Sequence, residues 1–389
     1  MSRVTVSLPV AGRLVLVGGG HSHVEVLRRF GLDRLAGAQV SVIGRDRHTP
    51  YSGMLPGLIA GQYEFDDAHI DLARLCRFAG AAFRHDEAIG LDLDLGVVLC
   101  RAGPPVAFDV LSINIGSSPW LGNVPGAAEH AVAVKPIGRF LEAWTALCDR
   151  VMAGTGPVRI AVVGAGAGGV EMVLAMQVRL RALLAAAGRD DRRIGYTLIG
   201  QADHVLPGHE AAVRRRFTRV LRERSIRVIT GQAIVAVENR VVRCADGGRH
   251  DFDEILFVTS AGAAPWLGSS GLALDARGFI KVDATLRSVS DERVFAAGDI
   301  ATVVGHERPK SGVFAVRQGK PLAANLRRAL AGETLRAFQP QRDALALIGT
   351  GDGSAVAARG RWSVEGRLVW RWKDWIDRRF MRRYQALPM

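Results

Sequence analysis

Two stretches of the chain repeat one pattern of hydrophobic and polar positions. Leu14-Val15-Leu16-Val17 is a continuous apolar run that breaks into Gly18-Gly19-Gly20-His21-Ser22-His23-Val24-Glu25. Ile160-Ala161-Val162-Val163 breaks in the same way into Gly164-Ala165-Gly166-Ala167-Gly168-Gly169-Val170-Glu171, and apolar positions then continue through Met172, Val173 and Leu174 to Leu184. A run that is apolar on both faces predicts a strand buried on both sides, as in a parallel sheet. The glycines predict a turn, and the run after them a helix. A further strand is predicted after each unit, Gln39–Ile43 and Gly195–Ile199, so each unit reads as β-α-β. The repeat extends to Val106–Ile115, which exits in Gly116-Ser117-Ser118-Pro119. Its counterpart is Glu254–Ser260, which exits in Gly262-Ala263-Ala264-Pro265. Beyond these lie Arg293-Val294-Phe295-Ala296-Ala297-Gly298-Asp299 and a predicted helix from Ser311 to Leu330.

The pattern predicts an α/β protein with two Rossmann-like three-layer nucleotide-binding domains, one inserted in the other, plus a C-terminal cap. The expected divisions are 1–120 and 263–335 for the outer domain, 121–262 for the inserted one, and 336–389 for the cap.

The second glycine turn is a complete fingerprint. Gly164, Gly166 and Gly169 fit G-x-G-x-x-G between a strand and a helix. The first glycine makes the turn, the second lets a pyrophosphate approach the backbone, and the third permits close packing of helix on strand. Unsatisfied N–H groups and the dipole at the helix start then favour the phosphates. The first turn keeps Gly18 and Gly20 but carries His23 at the third position. A side chain there sets the helix back or redirects the turn. His21 and His23 are either contacts for a phosphate or ribose, or space fillers. An acid at the end of the second strand would bind ribose hydroxyls. Here Gly44-Arg45-Asp46 and Gly200-Gln201-Ala202-Asp203 follow those strands, so the choice between NADH and NADPH stays open.

Composition narrows the class. The chain has 389 residues, 48% hydrophobic and 23% charged, which describes a globular protein of two or three domains. Its 51 Lys and Arg against 38 Asp and Glu leave a formal charge of +13, which favours anionic partners such as dinucleotides, nucleic acid or anionic lipid. The cysteines Cys76, Cys100, Cys148 and Cys244 have no C-x-x-C spacing. That pattern predicts a reduced intracellular protein without a metal site or a sequence-local redox disulfide. The N-terminal stretch does not read as a signal peptide, and no transmembrane helix is predicted, so the expected location is cytoplasmic.

The two units, the exits at Gly116 and Gly262, and Phe295-Ala296-Ala297-Gly298-Asp299 together resemble the two-dinucleotide flavoprotein family of pyridine nucleotide oxidoreductases, over roughly residues 12–335. The resemblance implies FAD in the first unit and NADH or NADPH in the second. For FAD it implies Gly18, Gly20, His21, Ser22, His23, Arg45, Gly116, Gly298 and Asp299, with Asp299 at the flavin's ribityl–pyrophosphate region. The helix from Ser311 would face the flavin ring. For NAD(P)H it implies Gly164, Gly166, Gly169 and Glu171. The stretch Thr49-Pro50-Tyr51-Ser52-Gly53-Met54-Leu55-Pro56-Gly57, where disulfide reductases carry a dithiol, is similar to type II NADH dehydrogenases. The nearest likeness is the oxidoreductase module found fused to selenide, water dikinase. Glu171 is thereby placed near flavin and nicotinamide, although an acid in a first helical turn also suits the dipole alone. Lys310 is expected either to act in catalysis, holding charge at the flavin or relaying a proton, or to be a solvated lysine at a helix start. The implied activity passes a hydride from NAD(P)H to flavin and electrons to a quinone. The alternatives are a disulfide or sulfur/selenium oxidoreductase and a non-enzymatic flavin-binding regulator.

Two basic segments complete the reading. Val213, Phe217, Val220 and Leu221 fall at helical spacing among Arg214, Arg215, Arg216, Arg219 and Arg222. This predicts a helix with a solvated arginine face rather than a nucleic-acid site. In residues 368–384, Trp372, Trp375, Ile376, Phe380 and Tyr384 fall on one helical face flanked by arginine. That face is expected either to lie on the cytoplasmic face of a membrane or to pack on the protein or on an oligomer mate.

Overall fold

The computed structural model describes residues 12–119, 121, 124–259, 261–341 and 344–388. Ser260, at the end of a predicted strand, lies outside them. The first unit runs β1 (Gly12–Val17), α1 (His21–Leu32), β2 (Ala38–Gly44), β3 (Ala82–His85) and β4 (Val110–Ile113). Its parallel sheet has the order Val294–Ala296, β4, β1, β2, β3. Leu14, Leu16 and Val17 on β1 are buried, as are Val110 and Leu111 on β4, and their core also takes in Val24, Leu27 and Phe30 of α1 and Leu91, Val98 and Phe108 of the segment between β3 and β4.

The chain leaves this sheet after Ile113, builds a second one and returns at Val294. The second unit contains α2 (Ile137–Ala153), β5 (Val158–Val163), α3 (Ala167–Ala186), β6 (Ile194–Ile199), α4 (Ala211–Glu223) and β7 (Glu254–Phe257). Its parallel sheet has the order Val132–Ala133, β7, β5, β6, Arg227–Ile229. The two exits meet each other: Ser118–Pro119 pairs antiparallel with Ala261–Gly262. The repeat seen in the sequence therefore closes on itself between the two sheets.

After α5 (Gly312–Leu330), a three-stranded antiparallel sheet (Ala346–Gly349, Ala355–Arg359, Trp362–Gly366) leads into α6 (Arg367–Gln385). This cap straddles both cores. Phe380, Met381 and Tyr384 join the core of the first unit, while Ile348 and Val356 join that of the second. Arg216 and Arg219 of α4 clamp Glu365 of the cap at 3.1 and 2.6 Å, so part of the arginine face predicted as solvated is a fastening.

The apolar face expected of the tail is split. Phe380 and Tyr384 are buried beside Val369 and Met381, but Trp372 and Trp375 are 40% and 50% exposed and Leu368 is 78% exposed. At about 100° per residue, positions 373, 377, 380 and 384 form one stripe, and 368, 372 and 375 form another on the far side of the helix. The inner stripe carries the Lys373–Asp377 pair at 2.6 Å, with Lys373 Nζ donating also to the Gly53 carbonyl.

Candidate functional site

The first glycine turn opens on a cavity of about 1000 Å³, at the upper end of what cofactor sites occupy. It runs from Gly18, Gly19 and Gly20, past His21 and Asn114, to Gly312 and Ala315 at the start of α5. Arg45, Asp46 and His85 lie at the ends of β2 and β3, while Ile137 and Gly138 line it from α2. Gly116, at φ +74°, would place an added Cβ in open space. No side chain caps α5 at Ser311, so its first N–H groups and positive dipole end face the cavity.

Asp299 follows the strand Val294–Ala296 and lines the same cavity. Its Oδ2 accepts from Lys135 Nζ at 3.2 Å and from Ser117 Oγ at 3.1 Å, and Lys135 Nζ donates to Ser117 Oγ at 3.1 Å. Lys135 was not singled out in the sequence. Its position after a two-residue strand of the second sheet gives it no local motif, and only the tertiary fold brings it to Asp299. Burial holds the His21 imidazole down at about 4, against the pull of Asp299. His21 Nε2 is buried without a partner. A neutral ring with a free lone pair at a cavity of this size fits a ligand that offers a hydroxyl or N–H.

Ser22 and His23 are turned away from the cavity. Ser22 Oγ donates to the Ala315 carbonyl at 2.7 Å, tying α1 to α5. His23 is fully buried; its Nδ1 donates to the Gly18 carbonyl at 2.7 Å and its Nε2 accepts from Ser112 Oγ at 2.8 Å. Burial pushes its pKa down to about 4, so the neutral tautomer that satisfies both bonds is the one present. His23 thus takes the place of a glycine by bonding to the first glycine's carbonyl. Gly298 gives its N–H to Gln318 Oε1 at 2.6 Å and borders a smaller cavity of about 290 Å³ behind Asp299.

Lys310 belongs to that smaller cavity. Its Nζ donates to the Ala301 carbonyl (2.5 Å) and Thr302 Oγ1 (3.0 Å) and lies 4.1 Å from the Phe279 ring centroid. Burial lowers its pKa to about 8. The cation at the larger cavity's Asp299 is Lys135.

The second glycine turn is built differently. A Cβ on Gly164 would sit 2.5 Å from the Val258 carbonyl oxygen, and one on Gly169 would sit 1.7 Å from that of Gly164. A Cβ on Gly166 would meet nothing within 4 Å. The outer glycines are therefore required by packing, while the face of Gly166 is open, as an approaching pyrophosphate needs. Thr259 Oγ1, beside this turn, is buried without a partner. Glu171, one turn into α3, accepts from the Gly349 N–H of the cap at 2.7 Å. Burial raises its pKa to about 7, opposed by Lys373 and assisted by Asp377. The structure thus brings Glu171 to the cap's ion pair.

The four cysteines are unpaired. Burial pushes Cys76 up to about 12 and Cys148 to about 11, and raises Cys100 and Cys244 as well. None is poised as a thiolate nucleophile. Among the described residues, no helix is long and apolar enough to cross a membrane.

Residues 12–319 match the pyridine nucleotide-disulphide oxidoreductase family. The chain is 25% identical over 348 residues to the NADH dehydrogenase-like protein YutJ of Bacillus subtilis, covering 87% of this chain and 89% of that one. It is 22% identical over 356 residues to a type II NADH:quinone oxidoreductase of Staphylococcus aureus, covering 88% of each. In fold it is similar to the structure of NDH2 from Plasmodium falciparum in complex with NADH, with a TM-score of 0.81 at 13% identity over 97% of this chain and 99% of that one.

Proposed function

This chain belongs to the pyridine nucleotide-disulphide oxidoreductase family, and from that premise we propose that it is an FAD-dependent NAD(P)H dehydrogenase that delivers electrons to a quinone. The observation that carries this reading is the pairing of two unlike glycine turns. One opens on a cavity of cofactor size that ends at an uncapped helix, and the other presents an open face at Gly166. In this reading 1–120 and 263–335 hold FAD, 121–262 hold NAD(P)H, and 336–389 form the cap.

FAD, when bound, supplies the two-electron carrier that lets a hydride donor reduce a chemically different acceptor. The residues that would hold it are Gly18, Gly20, His21, Arg45, Gly116 and Asp299. Asp299 and the unpartnered Nε2 of His21 would serve as acceptors for hydroxyl groups, and the α5 N-terminus would offer positive potential to an anion. Gly164, Gly166 and Gly169 seat the pyrophosphate of NAD(P)H on α3. Burial raises the Glu171 carboxyl to about 7, so beside the cap it exchanges a proton near neutral pH. Overall, NAD(P)H gives up a hydride, and the quinone takes two electrons with two protons, one of them from solvent.

Two observations favour a quinone over a disulfide. The relatives above include a quinone oxidoreductase by name, and the thiols here are held protonated. The exposed stripe Leu368, Trp372 and Trp375, flanked by Arg371, Arg379 and Arg382, supports peripheral association with an anionic membrane, where quinones dissolve. The test is anaerobic reduction of the yellow protein by NADH or NADPH, followed by addition of a quinone, a disulfide or a selenium compound. Reoxidation by quinone alone is the expected result. Reoxidation only by the disulfide or selenium compound overturns the acceptor assignment.

A further inference from the structure

The two glycine turns correspond position by position, and the residue that follows the neighbouring strand and runs beneath each turn differs between them. Ile113 is paired with Val17 in the first sheet, and Phe257 with Val163 in the second. The next residue is Asn114 in one unit and Val258 in the other. Both run under the first glycine. A Cβ on Gly18 would lie 2.5 Å from the Asn114 carbonyl oxygen, and a Cβ on Gly164 would lie 2.5 Å from that of Val258. By the same correspondence Gly20, Ser22 and His23 match Gly166, Gly168 and Gly169.

In the first unit the Asn114 side chain closes the helix end. Its Oδ1 accepts from the Ser22 N–H at 3.1 Å and the His23 N–H at 3.2 Å, and its Nδ2 donates to the Ala297 carbonyl at 2.5 Å. The opposite amide orientation would set an NH2 against two N–H groups, so the network fixes the assignment. The carboxamide also fills the space before the second glycine, where a Cβ on Gly20 would lie 2.3 Å from Asn114 Oδ1. In the second unit the space at Gly166 is open, and Val258 Cγ1 lies 3.3 Å from a Cβ on Gly168 instead. A valine accepts no hydrogen bond. Among the described residues no side chain accepts from the Gly168 or Gly169 N–H, and the Gly166 N-cap position supplies none, so these donors stay open to a ligand.

We propose that Asn114 and Val258 are the residues that make the two helix ends unlike. Asn114 supplies an internal cap that keeps α1 closed and tied to the segment before Asp299. Val258 keeps α3 uncapped, so that an exchanging dinucleotide finds free donors. This inference rests on the assignment of the second unit to NAD(P)H. A first-unit ligand must be held by fewer backbone donors and by side chains. A second-unit ligand is held by the helix end itself, and whatever caps that end competes with the ligand's phosphates.

The experiment puts the cap where it is missing. Val258→Asn and Val258→Leu are made in the full chain with its flavin, and binding of NAD⁺ and NADP⁺ is measured by calorimetry alongside flavin content. Val258→Asn is expected to weaken the tighter-bound of the two nucleotides about tenfold, the loss of roughly one charge-assisted hydrogen bond, with flavin content unchanged. Val258→Leu, which adds bulk without an acceptor, is expected to stay within about threefold of the parent, since the side chain keeps its apolar contacts. Should the asparagine variant not fold, the isosteric Val258→Thr, whose hydroxyl also caps helix ends, carries the same expectation of weaker binding. Parental affinity in a folded Val258→Asn or Val258→Thr protein overturns the proposal, and so does an equal loss in Val258→Leu. Failure of the parent protein itself to bind either nucleotide contradicts the functional reading instead.

Discussion

Lys135 Nζ lies 3.2 Å from Asp299 Oδ2, and the two residues come from different sheets. Lys135 follows the edge strand Val132–Ala133 of the second sheet, and Asp299 follows Val294–Ala296 of the first. The pair lies on the wall of the cavity and joins the two units there. Asp299→Ala is expected to lose most of its bound FAD while keeping its far-UV circular dichroism, because the carboxylate lines the cavity rather than the core. Lys135→Met is expected to weaken FAD retention as well, whereas Lys310→Met, facing the smaller cavity, should leave it intact. Flavin content per chain after gel filtration measures all three. Equal losses at Lys135 and Lys310 would show that charge alone, not position, governs retention.

Glycine substitutions at the second turn separate ligand from packing. Gly166→Val projects into open space, so the protein should fold, keep FAD and fail to be reduced by NAD(P)H. Gly169→Ala forces a Cβ against the Gly164 carbonyl and should cost about 1–3 kcal/mol of stability. Thermal melts together with reduction rates distinguish the two. A Gly166→Val protein reduced at the parental rate would remove the dinucleotide from this turn.

The pH dependence of stability follows from Glu171. Its carboxyl ionises near 4.5 when unfolded and near 7 in the fold, raised by burial against Lys373 and beside Asp377. Between those values the folded chain holds a proton that the unfolded chain has lost. The contribution is therefore complete below pH 4.5 and lost as pH rises to about 7. Glu171→Gln, which cannot ionise, should flatten that part of the denaturation-midpoint profile. A profile with the parental slope in the variant would place the titration elsewhere.

The strands, both glycine turns and the α5 helix were legible because each is a local pattern: an apolar run, a break, a 3.6-residue period. Packing between distant segments was not. The roles of Ser22 and His23 were hidden because their partners, Ala315 and Ser112, lie far along the chain. Lys135 was hidden for the same reason. In the tail, period alone grouped Trp372 and Trp375 with Phe380 and Tyr384. The docked helix separates them because the buried stripe includes Lys373 and Asp377, charged residues that a hydrophobic pattern leaves out and that are tolerated inside because they pair with each other.

That split gives two different expectations for the tail. Phe380 stacks on Tyr51 with centroids 4.4 Å apart, so Phe380→Ala should cost about 3–5 kcal/mol of stability. Trp372→Glu with Trp375→Glu should leave the melting temperature nearly unchanged and reduce cosedimentation with anionic vesicles, and binding by the parent should weaken in high salt. Parental protein that stays in the supernatant at low salt would retire the membrane contact.

The central claim is that FAD bound in the first unit is reduced by NAD(P)H bound in the second and is reoxidised by a quinone. Anaerobic stopped-flow mixing of the yellow protein with NADH or NADPH, followed by a second mix with a quinone, tests it most directly. The account predicts rapid loss of the oxidised-flavin absorbance in the first mix and its full return in the second. A flavin that stays oxidised with both nucleotides, or a reduced flavin that no quinone reoxidises, would contradict it.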